Sequence, residues 1–180
     1  MKYKKNILAI CGSTKKFSTN LNLINAIANI SVADFSVTIF EGIDKLPHFN
    51  PDLDIEPAPE SVINFRRLLK EADGILICTP EYAMGVPGAL KNTIDWTVSS
   101  CEFSHKPVAL ITASSVGQKG HAALLETLKV IECNITDETQ LVISFSKTKI
   151  NDKGQITDPD TYERVTQLLQ AFIQNINISF

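Results

Sequence analysis

Short apolar runs that alternate with stretches of helical period constrain this chain most. Asn6 to Cys11 is apolar almost throughout, without the in-out alternation of a strand facing water, so it reads as a strand covered on both faces. Residues 74–78, 108–113 and 141–145 repeat that pattern, and 34–40 adds a strand marked by β-branched Val37 and Ile39. Between these runs, Leu21, Ile24, Ile27 and Ala28 recur at helical spacing and predict a helix over 20–30. Val62, Phe65, Leu68 and Leu69 make one stripe of a helix over 61–70, leaving Arg66, Arg67 and Lys70 as a solvated face. Further helices are predicted over 88–99, 122–131 and 160–175, the last with Pro159 near its first turn. Parallel strands need crossover connections, so five strand–helix units imply a parallel sheet with helices on both faces. The expectation is one doubly wound α/β domain over residues 1–180.

With 44% hydrophobic and 21% charged residues, the chain can bury a single core and does not have the composition of a disordered one. No apolar run is long enough for a bilayer. Lys2, Lys4 and Lys5 resemble the start of a signal peptide, but the following apolar stretch is one strand long and meets no cleavage site. A net charge of −3 leaves no footprint for nucleic acid. Cys11, Cys78, Cys101 and Cys133 show neither a CxxC nor a zinc spacing, and read as inert thiols of a reduced, cytoplasmic protein. His48, His105 and His121 are scattered and expected at exposed or loop positions. One long irregular stretch, 41–59, carries Pro47, Pro51, Pro57 and Pro59; a loop of that length is usually functional or an interface.

In open parallel sheets ligands bind beyond the carboxyl ends of the strands. Three loops there have distinctive chemistry. Gly12 to Asn20 holds four hydroxyls, two lysines and an Asn, and leads into a helix N-terminus suited to an anion such as a phosphate monoester. It lacks both GxGxxG and the Walker spacing; Ser18 or Thr19 also suits the helix cap. Thr79 to Gly88 is stiffened by two prolines, and Tyr82 and Met84 offer polarizable surface for a flat ring. Ser114 to Gly120 again leads small residues into a helix start.

Three segments together resemble the NADPH-dependent FMN reductase family. They are Gly12-Ser13-Thr14-Lys15 with Ser18 and Asn20, Leu46-Pro47-His48-Phe49-Asn50, and Thr79-Pro80-Glu81-Tyr82 followed by Val86-Pro87-Gly88-Ala89-Leu90-Lys91-Asn92-Thr93-Ile94-Asp95-Trp96. The resemblance implies a flavodoxin-like fold of strand order 2-1-3-4-5 and places Ser13, Lys15, Ser18, Thr19 and Asn20 around an FMN phosphate. It puts Pro80, Glu81, Tyr82, Ala83 and Met84 along the flavin ring, and Ser114, Ser115 and Gly117 at its other edge. The chain departs from the family pattern where Lys15 replaces Arg, Ala83 replaces Asn, Met84-Gly85 replaces a Gly-Ser-like pair, and Ser114-Ser115 replaces a glycine-rich pair.

The implied activity is hydride transfer from NAD(P)H through FMN to a small acceptor: a quinone, flavin, azo compound or metal oxyanion. Reductant and acceptor take turns at one flavin. Main-chain donors along 115–120 would stabilise charge on the reduced ring. No side-chain acid or base is needed, and no metal site is expected. A homodimer or homotetramer is implied as well, with the loop 46–59 and an exposed Trp96 and Phe103 region awaiting cover. The alternatives are a flavodoxin-like electron carrier or other non-enzymatic FMN-binding protein, and a relative that has lost its flavin.

Overall fold

A computed structural model describes residues 4–31 and 33–178. Strands Lys5–Cys11 (β1), Phe35–Ile39 (β2), Gly74–Thr79 (β3), Val108–Ala113 (β4) and Gln140–Ile143 (β5) form one parallel sheet in the order β2-β1-β3-β4-β5. Helices Thr19–Ile30 (α1), Glu60–Glu71 (α2), Gly88–Asp95 (α3), Gln118–Val130 (α4) and Pro159–Ile178 (α5) cover it. This is the flavodoxin-like order. The strand order reverses between β1 and β3, which fixes where loops diverge to opposite faces.

Alternation along each strand sends neighbouring side chains to opposite cores. On one face α1 and α5 bring Ile24, Ile27, Leu168 and Phe172 against Ile7, Leu76, Ile111 and Ile143. On the other, α2, α3 and α4 bring Val62, Phe65, Leu90, Ile94 and Leu124 against Leu8, Ile10, Ile75, Ile77 and Leu110. Each fully buried Leu, Ile or Phe contributes about 1.5–3 kcal/mol of transfer free energy. Both faces need that cover, which is why the strands read as unbroken apolar runs.

Several expectations need correcting. The third helix stops at Asp95 rather than 99, the fourth starts at Gln118 rather than 122, and the last runs to Ile178. Trp96 and Phe103 are not exposed: they retain 0% and 1% of their accessible surface. The cover of Trp96 comes from the chain itself, because its Nε1 donates to the Pro47 carbonyl at 2.8 Å and Phe49 meets the indole edge-on at 5.1 Å. The proline-rich loop is therefore partly a lid over the end of α3.

Arg66 does not belong to a solvated face either. Its guanidinium donates to the Trp96 carbonyl and to Asp54, the latter at 2.7 Å, with both side chains largely buried. The Ser99 hydroxyl on Asp54, followed by Arg66, holds the Asp54 carboxyl below its ordinary range. Arg67 is exposed and pairs with Glu71 on the helix surface, as expected.

His48 and His105 are exposed, but His121 is buried between β4 and β5. Its Nδ1 lies 2.9 Å from the Thr112 hydroxyl and its Nε2 lies 3.1 Å from Gln140 Oε1. Gln140 Nε2 donates to Thr136 and Asp137, so Oε1 is the accepting end and assigns the His121 proton to Nε2. Burial pushes its pKa below the ordinary histidine value.

Candidate active site

The loops leaving β1, β3, β4 and β5 enclose one cleft of about 510 Å³, within the roughly 300–1,000 Å³ of small-molecule sites. The first wall is the turn into α1. Ser18 caps the helix, its Oγ accepting the Asn20 N–H at 3.2 Å, and the first turn carries no acidic residue. The positive end of α1 therefore meets the cleft without an opposing charge. Asn20 Nδ2 donates to the Ala113 carbonyl at 3.1 Å, while its buried Oδ1 has no partner among the described residues.

The β3 loop makes the second wall. Glu81 N–H donates to Ser114 Oγ at 3.2 Å, and Glu81 Oε2 accepts the Gly120 N–H at 2.7 Å. Helix α4 starts from Gly117 at φ 105°, which offers no side chain for a cap, so Glu81 satisfies an early N–H of α4 from another loop. The approach is close. A Cβ on Gly120 would sit 2.8 Å from the Gly85 carbonyl oxygen and 2.9 Å from Glu81 Cγ.

Beyond Tyr82 the loop folds back on itself. Tyr82 N–H donates to Gly85 O and Gly85 N–H to Tyr82 O, both at 2.9 Å, with Ala83 and Met84 at φ 49° and 62°. Two successive left-handed residues define a turn that Asn-Gly fits well and Ala-Met fits poorly.

Ser114 joins the third wall to a fourth. Its carbonyl accepts the Ser146 N–H at 3.0 Å, and the Ser115 carbonyl accepts the Phe145 N–H at 3.1 Å. These bonds hold Phe145, Ser146, Lys147 and Thr148 against the cleft. Phe145 itself is left-handed at φ 55°, a conformation costly for a bulky residue and concentrated at functional positions.

Ten of the residues predicted for the site share this cleft: Ser13, Lys15, Ser18, Thr19, Asn20, Pro80, Glu81, Tyr82, Ser114 and Ser115. Ala83, Met84 and Gly117 do not line it. The first two stand exposed at the turn tip, and Gly117 is buried beneath the start of α4. The donors expected along 115–120 are also fewer, since Glu81 takes the Gly120 N–H.

Sequence reasoning missed the β5 wall and Phe17. A signal was present: Ser144 to Thr148 repeats the hydroxyl and lysine chemistry of Gly12 to Asn20 at another strand's carboxyl end.

The cleft's electrostatics are polarised. Glu81 is its one lining carboxylate among the described residues, and it is engaged by α4. Lys15 and Lys147 line the cleft with no acidic partner among the described residues. Exposed Phe17, Tyr82 and Phe145 form an aromatic rim. Cys11 and Cys78 stand opposite one another in the β1–β3 register below the floor, and burial pushes both thiols up. Such a site can grip an anion at one end and a planar ring at the other.

The family model described as NADPH-dependent FMN reductase matches residues 5–147. A 2-hydroxy-1,4-benzoquinone reductase of Burkholderia sp is 32% identical over 174 residues, covering 93% of this chain and 91% of the relative. A quinone reductase of Escherichia coli K12 is 30% identical across 99% of this chain and all of its own length (100%). Among solved structures, the flavoenzyme FerB, an NAD(P)H:(acceptor) oxidoreductase from Paracoccus denitrificans, superposes with a TM-score of 0.87 at 26% identity, covering 97% of this chain and 98% of FerB. With the flavodoxin-like strand order, the strand-end cleft and this match over most of its length, the chain belongs to the NADPH-dependent FMN reductase family of oxidoreductases.

Proposed function

We propose that the chain transfers hydride from NAD(P)H through FMN to a small acceptor, with quinones the first choice, and that reductant and acceptor occupy one cleft in turn. The observation that carries this reading is the cleft itself, cationic and rich in hydroxyls at the α1 end and aromatic at its rim. Relatives named for quinone reduction support the choice of acceptor.

The residues present fit FMN. Ser13, Lys15, Ser18 and Thr19 surround the positive end of α1, where a phosphate monoester is favoured. The unpartnered Asn20 Oδ1 is an acceptor available to a hydroxyl of the bound group, which it would help to hold. Tyr82 and Phe145 supply apolar surface for a tricyclic ring. The chemistry supplied by bound FMN would be acceptance of hydride and onward transfer of the electrons. The chain's own part is to bind, orient and exclude water. Glu81 and Ser114 hold the two ring-side loops at fixed separation, and no side chain in the cleft is asked to move a proton.

A homodimer or homotetramer accompanies this reading, supported by exposed Leu53, Ile55, Ile63 and Val98 on the surface around α2 and α3. Four free cysteines suit a reducing, cytoplasmic setting. Among the described residues no helix is long and apolar enough to cross a membrane.

Anaerobic titration of the FMN-loaded protein with NADH and with NADPH, followed by a benzoquinone, tests the function. Bleaching by nucleotide and recovery by quinone are expected, with parallel double-reciprocal plots in steady state. Bound flavin that neither nucleotide bleaches would point to the electron carrier instead. A protein unable to take up FMN would overturn both.

A further inference from the structure

Resting on that reading, we propose that Lys147 is a second cation for the phosphate monoester, and that it sets the preference for the phosphorylated flavin over its phosphate-free parent. Lys147 reaches the cleft on the loop after β5, far in sequence from the α1 turn that holds Lys15. Its placement is imposed. Left-handed Phe145 reverses the chain, the Ser146 N–H is bound by the Ser114 carbonyl, and the Thr148 N–H closes onto the Phe145 carbonyl. Lys147 is thereby fixed at its backbone while its side chain stays exposed, with no ion pair or hydrogen bond of its ammonium among the described residues.

Charge decides what such a lysine is for. A phosphate monoester carries roughly −1.5 to −2 at neutral pH. The N-terminus of α1 supplies the equivalent of about +0.5, and Lys15 supplies one unit as a compact point charge rather than a guanidinium fork. Against a full dianion that leaves about half a unit uncompensated. Lys147, from a separate loop, covers that remainder with a small positive excess, in a cleft whose lining carboxylate is tied to Gly120. The oxidised flavin ring, the form titrated below, is uncharged and makes no comparable demand for a second ammonium.

The test compares FMN with riboflavin. Apoprotein of the wild type, Lys147→Met and Lys147→Arg is titrated with each flavin, and quenching of flavin fluorescence reads the affinity at low and high salt. Lys147→Met should weaken FMN about tenfold, in keeping with a charge-assisted hydrogen bond. It should leave riboflavin unchanged and flatten the salt dependence of FMN, while Lys147→Arg binds like the wild type. Equal losses for both flavins would show a loop-structuring role and overturn the proposal. So would unchanged FMN affinity with weakened binding of NADPH but not NADH, which would move Lys147 to the nucleotide. Wild-type apoprotein that binds neither flavin would refute the functional reading itself, a result distinct from a null effect at Lys147.

Discussion

Replacing Glu81 by Ala should destabilise the fold itself, because this carboxylate caps a helix from outside it. Helix α4 starts on Gly117, which offers no side chain, and its Gly120 N–H is buried and bound by Glu81 Oε2 at 2.7 Å across 39 residues. Removing a charged acceptor from such a donor costs about 1.5–3 kcal/mol, and partial exposure of Glu81 argues for the middle, about 2 kcal/mol. For a domain of this size each kcal/mol shifts Tm by about 2–4 °C, so Glu81→Ala should melt about 4–8 °C early. Glu81→Gln keeps an acceptor and should lose about half as much. Urea and thermal unfolding of the flavin-free protein measure both, and amide exchange at Gly120 reports the local loss. A Glu81→Ala protein that melts within 1 °C of wild type (about 0.5 kcal/mol or less), with Gly120 equally protected, would refute the cap.

Three further outcomes are expected. Ala83→Asn combined with Met84→Gly should stabilise by about 1 kcal/mol, since each left-handed L-residue costs about 1–2 kcal/mol and Gly returns only part of that through the unfolded chain; a lower calorimetric Tm would contradict it. Stability should decline as pH falls below about 6.5, because His121 has a lowered folded pKa and the unfolded chain takes up the proton first; His121→Asn should flatten that slope in urea titrations across pH 5–7. An aromatic disulfide reagent should label exposed Cys101 quickly and the other thiols only on unfolding, burial having pushed Cys133 up to about 12 and raised Cys11 and Cys78. Fast labelling of a second thiol would count against that burial.

The sheet was legible because its strands need cover on both faces, which writes the core into local runs such as Ile7–Cys11. Ser18 was legible as the cap of α1 for a local reason too: a hydroxyl at a helix start is a common N-cap. What escaped depends on contacts between distant segments. Trp96 is buried because Pro47 and Phe49 come to it, and Arg66 is paired because Asp54 and the Trp96 carbonyl reach it. His121 likewise needed Gln140 beside it. No periodicity along α2, α3 or α4 reports such meetings. The β5 wall was hidden by Phe145, whose left-handed backbone turns an ordinary strand end into a cleft residue without any glycine to announce it.

The bond from Asn20 to the Ala113 carbonyl spans 93 residues and ties the start of α1 to the end of β4. With Ser114 held by Glu81 and Ser146 as well, the walls are tied to one another by the chain's own hydrogen bonds. Walls braced in this way call for no assembly step, so ligand capture should follow second-order kinetics without a saturating slow phase. Differences between ligands should then appear in how long each one stays. On the proposed reading, in which one cleft serves two substrates in succession, residence time is the quantity that sets turnover: the spent nucleotide has to leave before the acceptor can enter.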